Sequence, residues 1–380
     1  MNSSRHSQTI NILSIWHAAG LEAYRDKYRE LAKYDDINLT VLAPRYYKTD
    51  MPYPVKALPT EEDQSYKFFP APALFTGKAV LHFYPKLFSY LKKFKPDVVE
   101  LMEEPYSLIT FLTIWWLKNH SPQTRIFVYT YQNIFKVYPQ PFRWTEKYVL
   151  NHTDHLLIAN QECETVFKQK GYKGPVTLIP AGINIKPFEE KNITPLYKKT
   201  SNSFIIGYCG RLVEEKGITD LIKALSNLPD HFQLLLIGEG NYKHVLEEEA
   251  KKLFVLERVH FKGSVKAVDM PKALRSLDCL VLPSRTRKNW KEQFGRVLIE
   301  AMASEVPVIG SDSGEIPGTI GDAGLIFPEG DFSELTKQIK TISDNNKIKE
   351  KLVESGRLRA KFLFSHETIE KKLHSIFTNS

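Results

Sequence analysis

Two glutamates, Glu292 and Glu300, stand eight positions apart in "EQFGRVLIE", on either side of a Phe-Gly step that opens an apolar run. A carboxylate at a helix start complements the helix dipole, which accounts for Glu292. It does not account for Glu300, which sits among Val297, Leu298, Ile299, Ala301 and Met302, where a carboxylate needs a partner. A helix beginning near Gly295 would present the free amides of Phe294, Gly295, Arg296 and Val297, a cradle for phosphate that a glycine lets an anion approach closely. Eight residues at helical rise span about 12 Å, the reach of a diphosphate carrying a sugar at each end. Glu292 would then accept hydroxyls of one sugar and Glu300 the diol of a ribose. Upstream, "IIGYCG" runs into "RLVEEKG", so Arg211 and Lys216 lie in a loop leading to a helix. A fork and a point charge there suit a pyrophosphate, and they read equally well as two solvated surface cations. The "GEG" at 238–240 lacks the third glycine of a dinucleotide fingerprint, which disfavours nicotinamide or flavin chemistry.

These loops need strands to hold them. Apolar runs alternate with helical periods: "INILSIW", the helix "LEAYRDKYRELAKY", "INLTVLAP", "DVVELM", "RIFVYTY", "HLLIAN" and "VTLIPAG" in the first half. The polar stretch "NIKPFEEKNITPLYKKTSNS" follows, and a second series then begins with "SFIIGYCG" and continues through "FQLLLIGEG", "VHFKGSV", "LDCLVLPS" and "VPVIGSD". Strand–helix alternation predicts an α/β protein with two doubly wound parallel sheets. Ligands of such sheets collect at the carboxyl ends of the strands, so two facing halves place a cleft between them. The expected division is 1–185, a linker over 186–203, 204–362, and a terminal segment, 363–380, that returns to the first domain.

The 380 residues are 42% hydrophobic, ample for two packed cores, and a formal charge of +8 favours anionic partners. No nucleic-acid motif accompanies that charge, so nucleic acid is not expected. Cys163, Cys209 and Cys279 are too far apart for a zinc site or disulfide framework, consistent with a reducing cytoplasm. "MNSSRHSQTI" lacks a signal-peptide core, and no apolar window is long enough to span a membrane.

Taken in order, "GRLVEEKG", "IGEG", "VHFKGSV", "LDCLVLPSR", "EQFGRVLIEAMA", "VPVIGSDSGEIP" and "IGDAGLIFPEGD" resemble the retaining, GT-B-fold glycosyltransferases of family 4, from Ile205 to about Asp331. The resemblance implies two facing Rossmann-like domains and transfer of a sugar from a nucleotide-diphosphate sugar to a saccharide or lipid-linked acceptor. Glu292 and Glu300 would be the family's E-x7-E pair. Arg211 and Lys216 would neutralise the donor diphosphate, with the amides of Phe294 to Val297 completing the grip. Val265 would sit near the nucleobase and Gly20 in the donor-facing loop after the first strand. No metal and no other cofactor is expected, because two fixed cations can replace Mg²⁺ and no Asp-x-Asp signature is present.

The first half departs from the pattern. Its opening loop, "HAAG", has Gly20 alone where the family has paired glycines, and Gln132 replaces the histidine that would face the reacting sugar. "PAGIN" stands for "PNGVD", Gly318 ends "GEIPG", and Glu305 occupies a helix-terminal position that is glycine in the family. His17, Glu103, Glu104 and Gln132 are the acceptor-side candidates, although Glu103 and Glu104 also read as an ordinary helix-terminal charge pair. "FYPKLFSYLKKFKPD" and "LITFLTIWWLKNH" read either as segments touching the inner face of an anionic membrane or as amphipathic and buried helices. A nonhydrolysing sugar-nucleotide epimerase, or a nucleotide-sugar binder with weak turnover, is the alternative function.

Overall fold

The computed structural model describes residues 9–48, 54–78, 80–200 and 202–379. Two compact units emerge: residues 1–180 with 366–380, and residues 181–365.

The first unit is built on strands β1 (Ile10–Ile15), β2 (Ile37–Pro44), β5 (Lys67–Ala71), β6 (Val98–Leu101), β7 (Arg125–Thr130), β8 (His155–Ile158) and β9 (Val176–Leu178). They form one parallel sheet in the order β5-β2-β1-β6-β7-β8-β9, beside a separate two-residue ladder of β3 (Tyr46–Tyr47) and β4 (Val55–Lys56). Central strands are buried along nearly their whole length, as continuous apolar runs in a sheet covered on both faces must be. The covering helices are α1 (Asp26–Leu31), α2 (Leu87–Phe94), α3 (Leu108–His120), α4 (Phe142–His152), α5 (Gln161–Gln169) and α14 (His366–Asn379). Ile369, Leu373 and Phe377 of α14 join Tyr28 and Leu31 of α1 in one core cluster, and the Phe377 ring meets that of Phe127 edge-on at 4.9 Å. The stretch expected as one helix over 21–34 divides into a 3-10 turn at Glu22–Tyr24 and α1, at the point where Arg25 is buried against Asp63 and the Leu58 carbonyl.

The second unit has β10 (Phe204–Cys209), β11 (Phe232–Ile237), β12 (Val259–Phe261), β13 (Cys279–Leu282), β14 (Val308–Ser311) and β15 (Gly324–Phe327), ordered β12-β11-β10-β13-β14-β15 and parallel throughout. Its helices are α6 (Lys186–Glu189), α7 (Ile218–Ser226), α8 (Lys243–Lys252), α9 (Met270–Leu274), α10 (Arg296–Ala303), α11 (Ile316–Ile320), α12 (Phe332–Asp344) and α13 (Asn346–Phe364). In both sheets the strand order reverses direction beside the first strand of the unit, β1 against β6 and β10 against β13. Connections leave the two neighbours toward opposite faces there, which opens a crevice at their carboxyl ends.

Candidate active site

In the second unit that crevice receives the loops after β10 and β13. The first passes Arg211 and makes a 3-10 turn, Glu214–Lys216, closed by Gly217 at φ +66°. A Cβ on Gly217 would stand 1.9 Å from the Pro283 carbonyl oxygen, so glycine is what lets the two loops meet. Across this contact the Lys216 Nζ lies 2.5 Å from Glu292 Oε2, and the Ser284 hydroxyl donates to the same oxygen at 2.8 Å. The ammonium also stands 4.9 Å over the Trp290 ring. Glu292 and Lys216 are largely withdrawn from water, so this pair is a fixed structure. Arg211 is different: its side chain is two-thirds exposed, with Glu215 at 3.9 Å.

Gly295, at φ +78°, is the N-cap of α10, and no side chain caps that helix. Its first-turn amides therefore point outward from the end expected to hold phosphate. Glu300 lies on the same helix, and its Oε1 accepts from Arg296 Nε at 2.8 Å. Burial pushes the Glu300 carboxyl up, and Arg296 pulls it partly back. The main chain of Glu292 is fixed by the "SGEIP" segment, since Glu315 N donates to its carbonyl at 3.1 Å. Phe294 is buried and its carbonyl accepts from the Thr319 hydroxyl at 2.5 Å, while Val265 packs against the second unit's core. Lys216, Glu292, Gly295 and Glu300 thus occupy adjoining loops and one helix of a single unit. Ser284 and Trp290 join them unannounced by any spacing rule, although both flank the segment already singled out.

In the first unit the corresponding crevice is a cavity of about 300 Å³. Residues at or just past the carboxyl ends of β1, β6 and β7 line it, among them His17, Glu103, Glu104 and the rings of Trp16, Tyr24, Tyr106, Tyr129 and Tyr131. Glu103 accepts from the His17 backbone amide at 2.6 Å, and both its oxygens lie 2.8 Å from His17 Nδ1. On its other side His82 Nε2 is 3.5 Å away. Burial pushes the Glu103 carboxyl up, but His17 and then His82 outweigh it and bring the group down to about 2. Glu104 accepts from the Thr130 hydroxyl at 2.6 Å and from Tyr131 N at 2.9 Å, yet burial leaves its carboxyl raised. The phenols of Tyr47 and Tyr106 are pushed up to about 12, by burial first and by neighbouring carboxylates second, so they remain neutral donors at physiological pH.

Gln132 takes a separate place. Its side chain accepts from Lys170 Nζ at 3.0 Å and donates to the Ile134 carbonyl at 3.1 Å, outside the lining of the cavity. Gly20 is buried at the end of the 3-10 turn His17–Gly20 with only ordinary contacts around it. His82 and the cavity tyrosines escaped the sequence reading. They are scattered along the chain, and His82 lies in irregular backbone between β5 and α2.

Two doubly wound sheets, with an anion-ready helix start and a lysine–carboxylate clasp beside one switch point, define a GT-B-type protein. The chain belongs to the glycosyltransferases of group 1 and family 4: residues 190–359 match Glycosyl transferases group 1, and residues 25–186 match Glycosyltransferase Family 4. It is similar to the capsular polysaccharide biosynthesis glycosyltransferase CapM of Staphylococcus aureus, 29% identical over 52% of each chain. It is also similar to a GDP-mannose-dependent monoacylated α-(1-6)-phosphatidylinositol monomannoside mannosyltransferase of Corynebacterium glutamicum, 32% identical over 52% of this chain and 55% of that one. The chain therefore spans about half the length of these relatives. Among solved structures, the fold matches sucrose-phosphate synthase of Thermosynechococcus elongatus with a TM-score of 0.72 at 20% identity, covering 97% of this chain and 98% of that one. Anabaena HepE, solved in complex with UDP, matches with a TM-score of 0.71 at 19% identity, over 98% and 100%.

Proposed function

We propose that the protein is a retaining glycosyltransferase that moves a sugar from a nucleotide-diphosphate sugar to a saccharide or lipid-linked acceptor, in cell-surface polysaccharide or glycolipid synthesis. The observation that carries this reading is the junction of Lys216, Glu292 and the uncapped start of α10 in the second unit. In the proposed complex the α10 amides and Arg211 hold the diphosphate, Glu300 takes the ribose diol, and Glu292 accepts hydroxyls of the transferred sugar with Lys216 beside the phosphates. Leaving-group charge is then stabilised by fixed donors, without a metal ion, and attack comes on the face the diphosphate leaves. UDP bound to HepE and the GDP-mannose dependence of the corynebacterial relative support a nucleotide-sugar donor.

The first unit is the acceptor side of this scheme, its aromatic-lined cavity suiting the apolar face of a sugar ring. Phe88 on α2 is exposed and lies 5.9 Å from Trp115 and 6.4 Å from Trp116 on α3, beside exposed Lys86, Lys92 and Lys93. This aromatic and basic edge supports peripheral contact with an anionic membrane at its cytoplasmic face. Among the described residues no helix is long and apolar enough to cross a membrane.

The test is a panel of UDP-, GDP- and ADP-sugars incubated with and without saccharide and lipid acceptors. Acceptor-dependent nucleotide release with an α-linked product supports transfer. Interconversion of the free sugar nucleotide would establish an epimerase, and binding without turnover an inert partner. Absence of sedimentation with anionic liposomes at low salt would remove the membrane contact.

A further inference from the structure

We propose that the first-unit cavity binds an ammonium-bearing sugar or cyclitol, with the ammonium set against Glu104 among the aromatic rings of the wall. Calling that ligand the acceptor rests on the reading of the first unit as the acceptor side; the binding itself involves the first unit alone.

Charge separates this cavity from the rest of the chain. The protein carries 52 Lys and Arg against 44 Asp and Glu, yet among the described residues that line the cavity none is Lys or Arg and two are glutamates. The two carboxylates are not equivalent. Glu103 is enclosed by His17 Nδ1 at 2.8 Å, the His17 amide at 2.6 Å and His82 Nε2 at 3.5 Å, so two imidazoles stand ready to offset it. Glu104 receives only neutral donors, the Thr130 hydroxyl on Oε2 and the Tyr131 amide on Oε1, and it makes no ion pair with a described residue. Lysines near the wall are committed elsewhere: Lys170 pairs with Glu146, and Lys27 with Glu100 at 3.1 Å. A carboxylate can accept about four hydrogen bonds, so each Glu104 oxygen keeps room for one more. While both glutamates are ionised, the lining is negative whether or not His17 carries a proton. Burial raises the Glu104 carboxyl, and a cation brought alongside would reverse that direction.

The rings of Trp16, Tyr24, Tyr106, Tyr129 and Tyr131 complete the wall. Aromatic faces are electron-rich and attract a cation within about 6 Å of the ring centre. Neighbouring rings fix them in place: Trp16 meets Tyr24 edge-on at 5.3 Å, Tyr129 meets Tyr131 edge-on at 5.0 Å, and Tyr138 backs Tyr106 at 4.3 Å. Trp16 already holds one ammonium, with Lys27 Nζ 5.6 Å from its ring centre. Such rings also stack on a neutral sugar, so Glu104 is what decides for a charged one. A neutral ligand would leave its carboxylate without a counter-charge. The volume of about 300 Å³ suits a single six-membered ring. His17 and the Tyr106 phenol, the latter a neutral donor, offer partners for hydroxyls, which a bare ammonium headgroup would not use.

The experiment is calorimetry on the full chain at pH 6.5, in EDTA to exclude metal ions. It compares the methyl glycosides of glucosamine and galactosamine with those of glucose and galactose, and with choline. At least one amino glycoside should bind about tenfold or more tightly than its neutral twin, the worth of one charge-assisted hydrogen bond, and choline should bind more weakly than that amino glycoside. In Glu104→Gln the amide oxygen can accept from Tyr131 N and the amide nitrogen can donate to the Thr130 hydroxyl, so the wall keeps its internal bonds without the charge. That variant should bring charged and neutral twins within about twofold of each other. Tyr24→Leu removes a ring that is 38% exposed and tests the same site should Glu104→Gln fail to fold. It should weaken amino-glycoside binding by about threefold to tenfold, and more than it weakens the neutral twin. Equal affinity within both pairs, a preference that survives Glu104→Gln, or a preference untouched by Tyr24→Leu would overturn the proposal. Choline binding as tightly as the amino glycosides would overturn the sugar or cyclitol in favour of a lipid headgroup. Failure of the acceptor reading looks different: the amino glycoside would bind with its preference intact, and no UDP-, GDP- or ADP-sugar would glycosylate it.

Discussion

Glu370 on α14 is expected to make the protein less stable as pH rises, and Glu370→Gln to remove that dependence. The carboxyl is 1% exposed, and its Oε2 has no hydrogen-bond partner among the described residues. Burial, against an opposing pull from Lys27 and with repulsion from Glu100, pushes it from 4.5 up to about 8. Between those values the unfolded chain has released the proton and the folded chain keeps it, so stability falls with pH across this window and levels off above it. Each unit is worth about 1.4 kcal/mol, so the loss reaches about 3 kcal/mol at pH 7 relative to pH 4.5. The assay is urea unfolding from pH 5 to pH 8 followed by tryptophan fluorescence, because Trp16, Trp115, Trp116 and Trp144 lie in the first unit and only Trp290 does not. The glutamine's own burial sets a constant offset between variant and wild type. The gap should widen by about 1 kcal/mol or more per pH unit on top of that offset. A gap that stays flat with pH would refute the reasoning.

Three further outcomes follow from the second unit. Glu300→Ala should weaken nucleotide binding by about 10–100-fold, the range for losing one or two hydrogen bonds to a buried carboxylate; unchanged affinity with full turnover would remove the ribose assignment. EDTA should leave affinity for the nucleotide diphosphate unchanged, and a loss of affinity restored by Mg²⁺ would overturn the metal-free grip. Glu305 holds φ +59° just past α10 and pairs with Arg275 at 3.1 Å. Glu305→Gly should remove about 1 kcal/mol of backbone cost while losing a partly exposed ion pair worth less, for a net gain of about 0.5 kcal/mol. Calorimetry showing a lower melting temperature would contradict it.

The second unit's donor-side candidates were legible because their geometry is local. Gly295 starts the helix where the glycine implies, Glu300 follows on the same helix, and Glu305 takes the left-handed backbone its position demands. The parallel sheets were legible for the same reason, as long apolar runs separated by helical periods. β5 was not, because Pro70 inside "KFFPA" argues against a strand; the structure tolerates it at the sheet edge, where a missing N–H costs little. The cavity of the first unit was legible only in part. Its residues come from the ends of three strands that are neighbours in space and far apart in sequence, and His82 reaches Glu103 from irregular backbone. Glu370 was hidden for a related reason: beside Ile369 it reads as a solvated charge, and only the packing of α14 against α1 puts it in the core.

That packing also sets an order of completion during synthesis. The second unit is contiguous, so all of its strands and helices are synthesised before α14 is. The first unit begins the chain yet lacks Ile369, Leu373 and Phe377 until translation reaches α14. It is therefore started first and finished last, holding an apolar face around Tyr28 and Phe127 open throughout. A fragment ending at residue 180 would keep that face exposed permanently, and a soluble version of the first unit calls for α14 to be supplied, by fusion or as a separate peptide.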